Sequence, residues 1–470
     1  MAIQSFFSAL VSSAQAAPLP YILGTVVVLL TLLWYWARDE LPYAGFPIVG
    51  KEKGEWLNTK AKMRYVMNAN AILKQGLTDR QGPFQVFASH GPVIILPPSM
   101  IDEIRDDDRL SFLKSSQTLF LSAITAEMAK DANSVIKQLL PSDSKDWTPI
   151  CFATLAPVMA ARLSARAFVG EPLCHNREWL DISVMYTVNA MQAVQRVRHW
   201  PPFLRPIVQY LLPEFKVIRG QIKAARKIIE PEIAERKKKI REANKSGKAV
   251  PRSSDALEWM DVQAGEKPID KVLMQLLMGL VSIHTTSGTT LGLMYDIVSH
   301  PEYIESLRKE AVEVLQEEGG WTKTALYKMK LMDSCLKESQ RRHPMSASAM
   351  IGVPTWPMNA SGSSFYSDPD KFDGHRFLHL REDNDMKWQF ITTSTEHFGF
   401  GHGKQACPGR FFASNEIKVI VAHLLLMFDW RFAKGDEPKS LSLMDSEFVP
   451  DITQKIWVKP RVPEIDIASF

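Results

Sequence analysis

The chain has 470 residues, of which 46% are hydrophobic and 23% charged, so it is long and apolar enough to bury a large core. Its formal net charge of +4 is too small to indicate a nucleic-acid-binding protein. The four cysteines form no Cys-x-x-Cys pair and are too few for a disulfide framework, which argues against a zinc site and favours a reducing compartment.

The N-terminal segment is strongly apolar. No charged side chain precedes Arg38, and Ala17 to Ala37 is long enough to span a bilayer core. A cleaved signal peptide usually begins with a basic region, and none exists here, so we predict an uncleaved signal anchor. Leu41 to Pro47 contains two prolines and a glycine, which predicts a hinge. The predicted organisation is an anchor over 1–37, a hinge over 38–50 and one large domain over 51–470.

The remainder of the chain has mainly helical patterns. Two short apolar runs, Phe84–Phe87 and Val93–Leu96, predict a hairpin. The main predicted helices cover Ile218–Asn244, Pro268–Ser299, Glu305–Glu318, Thr324–Arg342 and Arg410–Trp430. The second of these is long and apolar with few charges, so we expect a buried central helix. Met345–Phe377 is rich in Pro, Gly and Ser and should be irregular. The predicted fold is mainly α with a minor β-sheet.

The segment around Cys407 carries the most specific chemistry. Gly401 and Gly403 permit a tight loop that larger residues would block. Pro408 suits the first position of a helix, which would place Cys407 at the helix N-terminus, where unpaired amides lower a thiol pKa. A thiolate in an apolar pocket lined by amides is a suitable soft ligand for a haem iron. A buried structural cysteine is the alternative, but it explains neither the glycine spacing nor the proline.

This segment resembles the haem loop of the cytochrome P-450 family, which has the pattern Phe-x-x-Gly-x-(Arg or His)-x-Cys-x-Gly. Phe400, Gly403, Cys407 and Gly409 match the pattern, and Phe400 is expected to cover the sulfur. Gln405 stands where family members commonly place Arg or His to pair a haem propionate; a glutamine donates a hydrogen bond without the charge. The resemblance implies the family's triangular helical fold and a haem (iron protoporphyrin IX) bound through Cys407.

Two further motifs follow the order found in the family. Glu338 and Arg341 lie three residues apart and share a helix face, a spacing that many solvated helices also show. The segment Phe372–Phe377 resembles the family's segment whose arginine, here Arg376, joins that pair. The resemblance implies that these three charged residues lock the core on the haem side, which is a structural role.

The predicted central helix contains His284 and Thr285. A hydroxyl in a buried helix usually bonds back to a carbonyl one turn earlier, and that reading needs no function. The resemblance instead aligns Thr285 with the threonine of an acid–threonine pair that relays protons to bound oxygen. His284 replaces the acid, and a histidine can still relay protons near neutral pH. The segment Ile283–Ser287 resembles fungal terpenoid oxidases of the ent-kaurene oxidase and indole-diterpene types.

The chain is shorter than the family pattern in two places. Between Pro344 and Ile351 the family usually has a strand pair that lines the substrate channel, and here six residues connect the two positions. The stretch after Leu119 lacks much of the segment that caps the haem, and no Trp-x-x-x-Arg occurs there.

Three functional hypotheses remain open from the sequence. The first is a haem-thiolate monooxygenase that oxidises a hydrophobic small molecule, expected to be a terpenoid of fungal secondary metabolism. The chain has no Gly-x-Gly-x-x-Gly signature, so the resemblance implies electrons from an NADPH-dependent reductase in the same endoplasmic reticulum membrane, with the catalytic domain cytoplasmic. The second is a shortened haem-binding pseudoenzyme, and the third is a membrane-tethered interaction protein without haem.

Overall fold

The computed structural model describes residues 22–31, 41–80, 82–88, 91–97, 100, 124–198, 200, 204–247, 253–264, 269–344, 351–352, 366–397, 399–403, 406–436, 442–444, 447–449, 451 and 453–469. Helices predominate among them, as predicted. The helices are α1 (Thr59–Asp79), α2 (Thr125–Leu139), α3 (Phe152–Phe168), α4 (Arg177–Arg198), α5 (Arg205–Leu211), α6 (Pro213–Ser246), α7 (Ala256–Ala264), α8 (Lys271–Ser299), α9 (Glu302–Glu318), α10 (Lys323–Lys328), α11 (Lys330–Arg342), α12 (Arg376–Asp383) and α13 (Arg410–Met427). The strands are β1 (Phe84–Ala88), β2 (Gly91–Ile95), β3 (Thr148–Ile150), β4 (Ile351–Gly352), β5 (Phe428–Arg431), β6 (Ser442–Met444), β7 (Glu447–Val449) and β8 (Ile456–Pro460).

The strands form small separate sheets. The predicted hairpin is confirmed: β1 and β2 are antiparallel, with Phe84 opposite Ile95. Strand β4 adds to this sheet in parallel, with Ile351 beside Ile94. A second sheet has the order β3-β8-β5, and β6 pairs with β7. Every residue of β1 is buried, so the sheet contributes a core of its own against α1.

The predicted central helix is α8, which packs against α3, α4, α6, α11 and α13. It begins at Lys271 because the Asp270 carboxylate caps it, accepting a hydrogen bond from the amide of Leu273 at 3.1 Å. Its C-terminal half is almost entirely buried and joins the largest hydrophobic cluster, shared with α2, α9, α11 and α13. Burial on most sides explains why so few charged residues occur along it.

Two predicted helices end differently in the structure. The helix predicted over Thr324–Arg342 is interrupted at Met329, whose φ of −70° and ψ of 73° separate α10 from α11. The helix predicted over Arg410–Trp430 ends at Met427, because the chain continues as β5 and pairs with β8. Phe428 and Trp430 are buried in alternation with more exposed neighbours, so a strand serves these side chains better than a further helical turn.

The predicted N-terminal anchor falls mostly outside the described residues. Residues 22–31 are helical. Among the parts of the chain that the structure describes, no helix combines the length and apolar character needed to cross a bilayer.

Candidate functional site

The loop that leads to Cys407 has the tight form predicted from its glycines. Gly401 and Gly403 adopt positive φ angles of 74° and 60°, a region that favours glycine. The amide of Cys407 donates to the carbonyl of Phe400 at 2.6 Å, and the amide of Ala406 donates to the carbonyl of Gly403 at 3.1 Å. These hydrogen bonds fold the loop back on itself and fix the backbone of Cys407.

Cys407 lies just before a helix, but two details of the prediction are wrong. Helix α13 begins at Arg410 with Gly409 as its cap, so Pro408 precedes the helix instead of opening it. Burial raises the pKa of the Cys407 thiol, against the amides of Gly409 and Arg410 and the Arg410 charge, which lower it. The helix N-terminus therefore acts as predicted, but the desolvation of a half-buried thiol is the larger effect.

The donor chemistry at Cys407 fits a haem iron. The thiol is free, half-buried and flanked by amides that stabilise its anionic form. A Cβ atom built on Gly409 would lie 3.9 Å from the Cys407 sulfur, an ordinary van der Waals distance, so Gly409 borders the ligand directly. Gly403 is exposed. Gln405, predicted to contact a propionate, lies outside the described residues.

The aromatic ring predicted to shield the sulfur is held by a second phenylalanine. Phe400 is half-buried, and its ring packs edge-on against Phe390 with the centroids 4.9 Å apart. The amide of Phe390 donates to the buried carboxylate of Asp333 on α11 at 2.8 Å. Thr393 contacts His402 through Oγ1 and Nδ1 at 3.0 Å. The segment before the Cys407 loop is thus fastened both to α11 and to the loop itself.

Lys337 on α11 holds the same segment from inside the core. Its side chain is fully buried, and Nζ donates to the carbonyls of Gln389 and Thr392, each at 2.8 Å. Its ammonium also lies 5.5 Å from the ring centroid of Phe377. Burial lowers the pKa of Lys337 from 10.5 to about 7. Sequence reasoning missed this residue, because a lysine in a polar helix is ordinarily solvated.

This lysine predicts a pH trend in stability. The unfolded chain keeps the Lys337 proton up to a pH near 10.5, whereas the folded chain releases it near 7. Between these values the unfolded state binds more protons, so this group makes the free energy of unfolding rise with pH and fall towards pH 7. We expect urea unfolding at pH 7 to 9.5 to show this rise in the wild type relative to Lys337→Met. A wild-type-minus-variant difference that is flat across the window contradicts the assignment.

The predicted cluster of Glu338, Arg341 and Arg376 is confirmed. Arg341 donates to both carboxylate oxygens of Glu338 at 2.8 Å, and Nε of Arg376 donates to Glu338 Oε2 at 3.0 Å. The exposed fractions of the three residues are 0%, 1% and 7%. Tyr366 stacks below both guanidinium groups, 5.4 and 6.0 Å from their centres. The cluster joins α11 to the start of α12 without facing solvent, which agrees with a structural role.

His284 and Thr285 lie on an exposed face of α8. Oγ1 of Thr285 donates to the carbonyls of Val281 at 2.8 Å and Ser282 at 3.1 Å. Its proton is therefore bonded to the helix, as the interpretation without a functional role predicts. The lone pairs of that oxygen are left to accept from the exposed side. Leu273, Leu277 and Val281 continue the same face with exposed fractions of 39%, 44% and 38%. The central helix therefore presents an apolar stripe that ends at two polar residues.

Glu416 is a residue of the site region that sequence reasoning missed. It lies on α13, the helix that follows Cys407, and its side chain is completely buried. The sequence offered only a weak signal for this residue, because Glu416 is one of few charged residues in a helix whose other residues are largely apolar. The two places where the chain is shorter than the family pattern fall on 101–123 and 345–350, which lie outside the described residues.

Comparison with known families gives a direct match. The family model described as Cytochrome P450 matches residues 111–350 and 347–451. The two matched segments overlap at 347–350, inside the connection between Pro344 and Ile351 that is shorter than the family pattern.

The chain is also similar to fungal proteins over most of its length. It is 36% identical over 434 residues to cytochrome P450 monooxygenase ntnM of Nectria sp, covering 82% of each chain. It is 32% identical to cytochrome P450 monooxygenase adrA of Penicillium rubens, covering 91% of this chain and 93% of that protein. It is 35% identical to cytochrome P450 monooxygenase TRI1 of Fusarium sporotrichioides, covering 77% of this chain and 75% of that protein.

Proposed function

This chain belongs to the cytochrome P450 family of haem-thiolate oxidoreductases, and from that premise we propose that it is a monooxygenase that oxidises an apolar small molecule in fungal secondary metabolism. The observation that carries the proposal is the Cys407 loop. It combines two glycines with positive φ, a half-buried free thiol and an immediately following helix. Curated relatives over most of the chain are named monooxygenases, which supports the same reaction class.

In this proposal the haem supplies the iron centre at which molecular oxygen is activated with two electrons and two protons. The chain supplies the environment. Cys407 would ligate the iron as a thiolate, and the amides of Gly409 and Arg410 would stabilise the sulfur's negative charge. Phe400 would exclude water from the sulfur side. Gln405 would donate a hydrogen bond to a propionate, and Gly403 and Gly409 would line the haem.

The substrate side of the site is formed by the exposed face of α8. Between Leu273 and Thr285 this face carries leucine and valine and ends at His284 and Thr285. Twelve residues of α-helix extend over about 18 Å, which suits a rigid, extended hydrocarbon skeleton. We therefore propose a terpenoid substrate, with Thr285 and His284 accepting and passing protons at the polar end of the stripe.

The proposal also includes the source of the electrons for the reaction and the location of the protein in the cell. An NADPH-dependent cytochrome P450 reductase would supply the electrons. The apolar segment 17–37 would act as a single-pass anchor in the endoplasmic reticulum membrane, with the haem domain in the cytoplasm. Carbonate extraction of microsomes tests the location: the full chain should remain in the membrane pellet, and recovery in the supernatant contradicts the anchor.

The central experiment co-expresses the full chain with a reductase and supplies a panel of terpenoid hydrocarbons. An oxygenated product that requires NADPH supports the monooxygenase. A specific observation keeps the pseudoenzyme as a second candidate, because the family model matches the chain in two separate segments, which overlap at 347–350. A well-folded protein that shows a thiolate-type carbon monoxide spectrum but no NADPH oxidation favours that candidate over the enzyme.

Thr285→Ala is expected to reduce product formed per NADPH consumed by roughly 10²-fold, the lower end of the effect of a positioned proton-transfer group. The missing product should reappear as hydrogen peroxide. Thr290→Val is the matched control, because Thr290 lies on the same helix and its buried hydroxyl donates only to the carbonyl of Thr286. Equal coupling in Thr285→Ala and the wild type contradicts the assigned role.

A further inference from the structure

A buried lysine holds the chain segment that leads into the Cys407 loop. Lys337 lies on α11 with no exposed surface, and its Nζ atom donates to the carbonyls of Gln389 and Thr392, each at 2.8 Å. Both of these partners are main-chain carbonyls, not carboxylates. Burying an amine costs free energy, and an apolar side chain would fill the space without that cost. The lysine therefore needs an explanation beyond packing.

The two carbonyls flank a residue that contacts the Cys407 loop. Phe390 lies between them in the chain, has no exposed surface and packs its ring edge-on against Phe400, with the centroids 4.9 Å apart. The amide of Phe390 donates to Asp333 at 2.8 Å. Asp333 and Lys337 are four residues apart on α11 and therefore share one face of that helix. This face holds the backbone on both sides of the Phe390 ring.

From Phe400 the path reaches the iron ligand through the backbone. The carbonyl of Phe400 accepts a hydrogen bond from the amide of Cys407 at 2.6 Å. A second contact joins Thr393 Oγ1, one residue after the held carbonyls, to Nδ1 of His402 inside the loop at 3.0 Å. A displacement of the segment 389–392 would therefore move both the ring expected to cover the sulfur and the backbone of the cysteine itself.

We propose that Lys337 is a positioning residue for the iron ligand: it fixes the backbone around Phe390 so that the ring of Phe400 stays over the sulfur of Cys407. This inference goes beyond the proposed reaction and rests on Cys407 as the haem ligand. A sulfur that water can reach accepts hydrogen bonds and donates less charge to the iron. Loss of the positioning should therefore raise the reduction potential of the haem and make the sulfur easier to protonate.

The positioning role of Lys337 does not depend on its charge. Burial lowers the pKa of Lys337 to about 7, so the ammonium and the neutral amine are both present near neutral pH. The ammonium has three N–H bonds and the neutral amine has two, and either form can donate to both carbonyls. Removing the N–H donors is therefore a sharper test than changing the pH.

Lys337→Met removes the donors and leaves an unbranched apolar side chain. In the haem-loaded variant we expect the ferric–ferrous reduction potential to shift to more positive values in a redox titration. The reduced carbon-monoxide complex should also convert from the thiolate type to the neutral-thiol type at least about fivefold faster than in the wild type, because two buried hydrogen bonds are lost. Lys337→Gln keeps two N–H donors on a shorter side chain, so its changes should be smaller. Larger changes in the glutamine variant than in the methionine variant contradict the donor role.

Phe390→Leu tests the same path one step closer to the ligand. This variant keeps the two hydrogen bonds of Lys337 and removes only the ring that contacts Phe400, so it should show both spectroscopic changes. In the double variant Lys337→Met/Phe390→Leu, the shift in reduction potential should be no larger than the larger of the two single shifts, because both substitutions release the same ring. Shifts that add in the double variant overturn the shared path.

Two matched controls measure the effect of lost packing alone. Arg308→Met removes another buried cation that holds main-chain carbonyls, those of Leu425 at 2.8 Å and Phe428 at 2.9 Å, at the C-terminal end of α13. Phe152→Leu removes a fully buried ring that packs edge-on against Trp430. Both controls should lose stability in urea and keep the wild-type reduction potential. A shift in the controls equal to that in the test variants overturns the proposal.

The outcomes separate this inference from the proposed monooxygenase. An unchanged reduction potential and an unchanged conversion rate in folded, haem-loaded Lys337→Gln and Phe390→Leu overturn the positioning role, whatever the turnover. A wild type without a thiolate-type spectrum contradicts Cys407 as the ligand, and the inference with it. A wild type that has this spectrum but oxidises no NADPH contradicts the monooxygenase alone, because the spectra and potentials of the variants are measured without turnover.

Discussion

Replacing Cys407 with alanine should abolish the thiolate-type absorption spectrum of the reduced, carbon-monoxide-bound protein, together with all NADPH-dependent product formation. The reason is electronic. An anionic sulfur donates charge to the iron in a way that no neighbouring side chain can reproduce. Within the described chain, the other three cysteines lie elsewhere: Cys174 and Cys335 are buried, and Cys151 precedes α3. The loss should therefore be complete, not partial.

The matched control is Cys151→Ala. Cys151 is also a half-buried cysteine directly before a helix, but it lacks the glycine loop that shapes the backbone around Cys407. We expect its carbon monoxide spectrum to equal that of the wild type. Far-ultraviolet circular dichroism distinguishes loss of the ligand from loss of the fold. A folded Cys407→Ala protein that keeps the thiolate-type spectrum would show that another residue binds the iron.

Much of this loop could be predicted from sequence because its determinants are local. Gly401 and Gly403 have positive φ angles, which glycine adopts without strain. The two glycines therefore predict the conformation of the loop from the sequence. The pairing of Glu338 with Arg341 follows in the same way from helical spacing. The central helix was evident from its length and apolar composition.

The features that sequence reasoning missed depend on residues far apart in the chain. The pKa of Cys407 is set by how much of the fold covers the thiol, and burial outweighs the local amides. The pKa of Glu416 is raised to about 8 because other helices bury its side chain, and this effect outweighs the hydrogen bonds of Ser164 and Thr286, which lower the pKa. Lys337 is buried because the segment of Gln389 and Thr392 crosses it. Local patterns contain none of this information.

Glu338→Ala is expected to have the second-largest effect, a loss of about 3–5 kcal/mol in unfolding free energy. The substitution leaves the guanidinium groups of Arg341 and Arg376 buried without their carboxylate. Because a domain is typically stable by about 5–15 kcal/mol, this loss removes a large share of the total stability, and the variant should unfold at a clearly lower urea concentration. Urea unfolding followed by circular dichroism measures the change.

The control for Glu338→Ala is Glu313→Ala, which removes the partner of Lys309 in an exposed ion pair separated by 3.8 Å. Solvent screens that pair, so we expect a change of at most about 0.5 kcal/mol. The two variants also distinguish an effect on the stability of the fold from an effect on the iron ligand. Any Glu338→Ala protein that does fold and bind haem should show a normal thiolate-type spectrum per mole of haem, because Glu338 bonds the arginines and not Cys407. A stable, haem-loaded variant with an altered spectrum would instead assign the cluster a direct influence on the iron ligand.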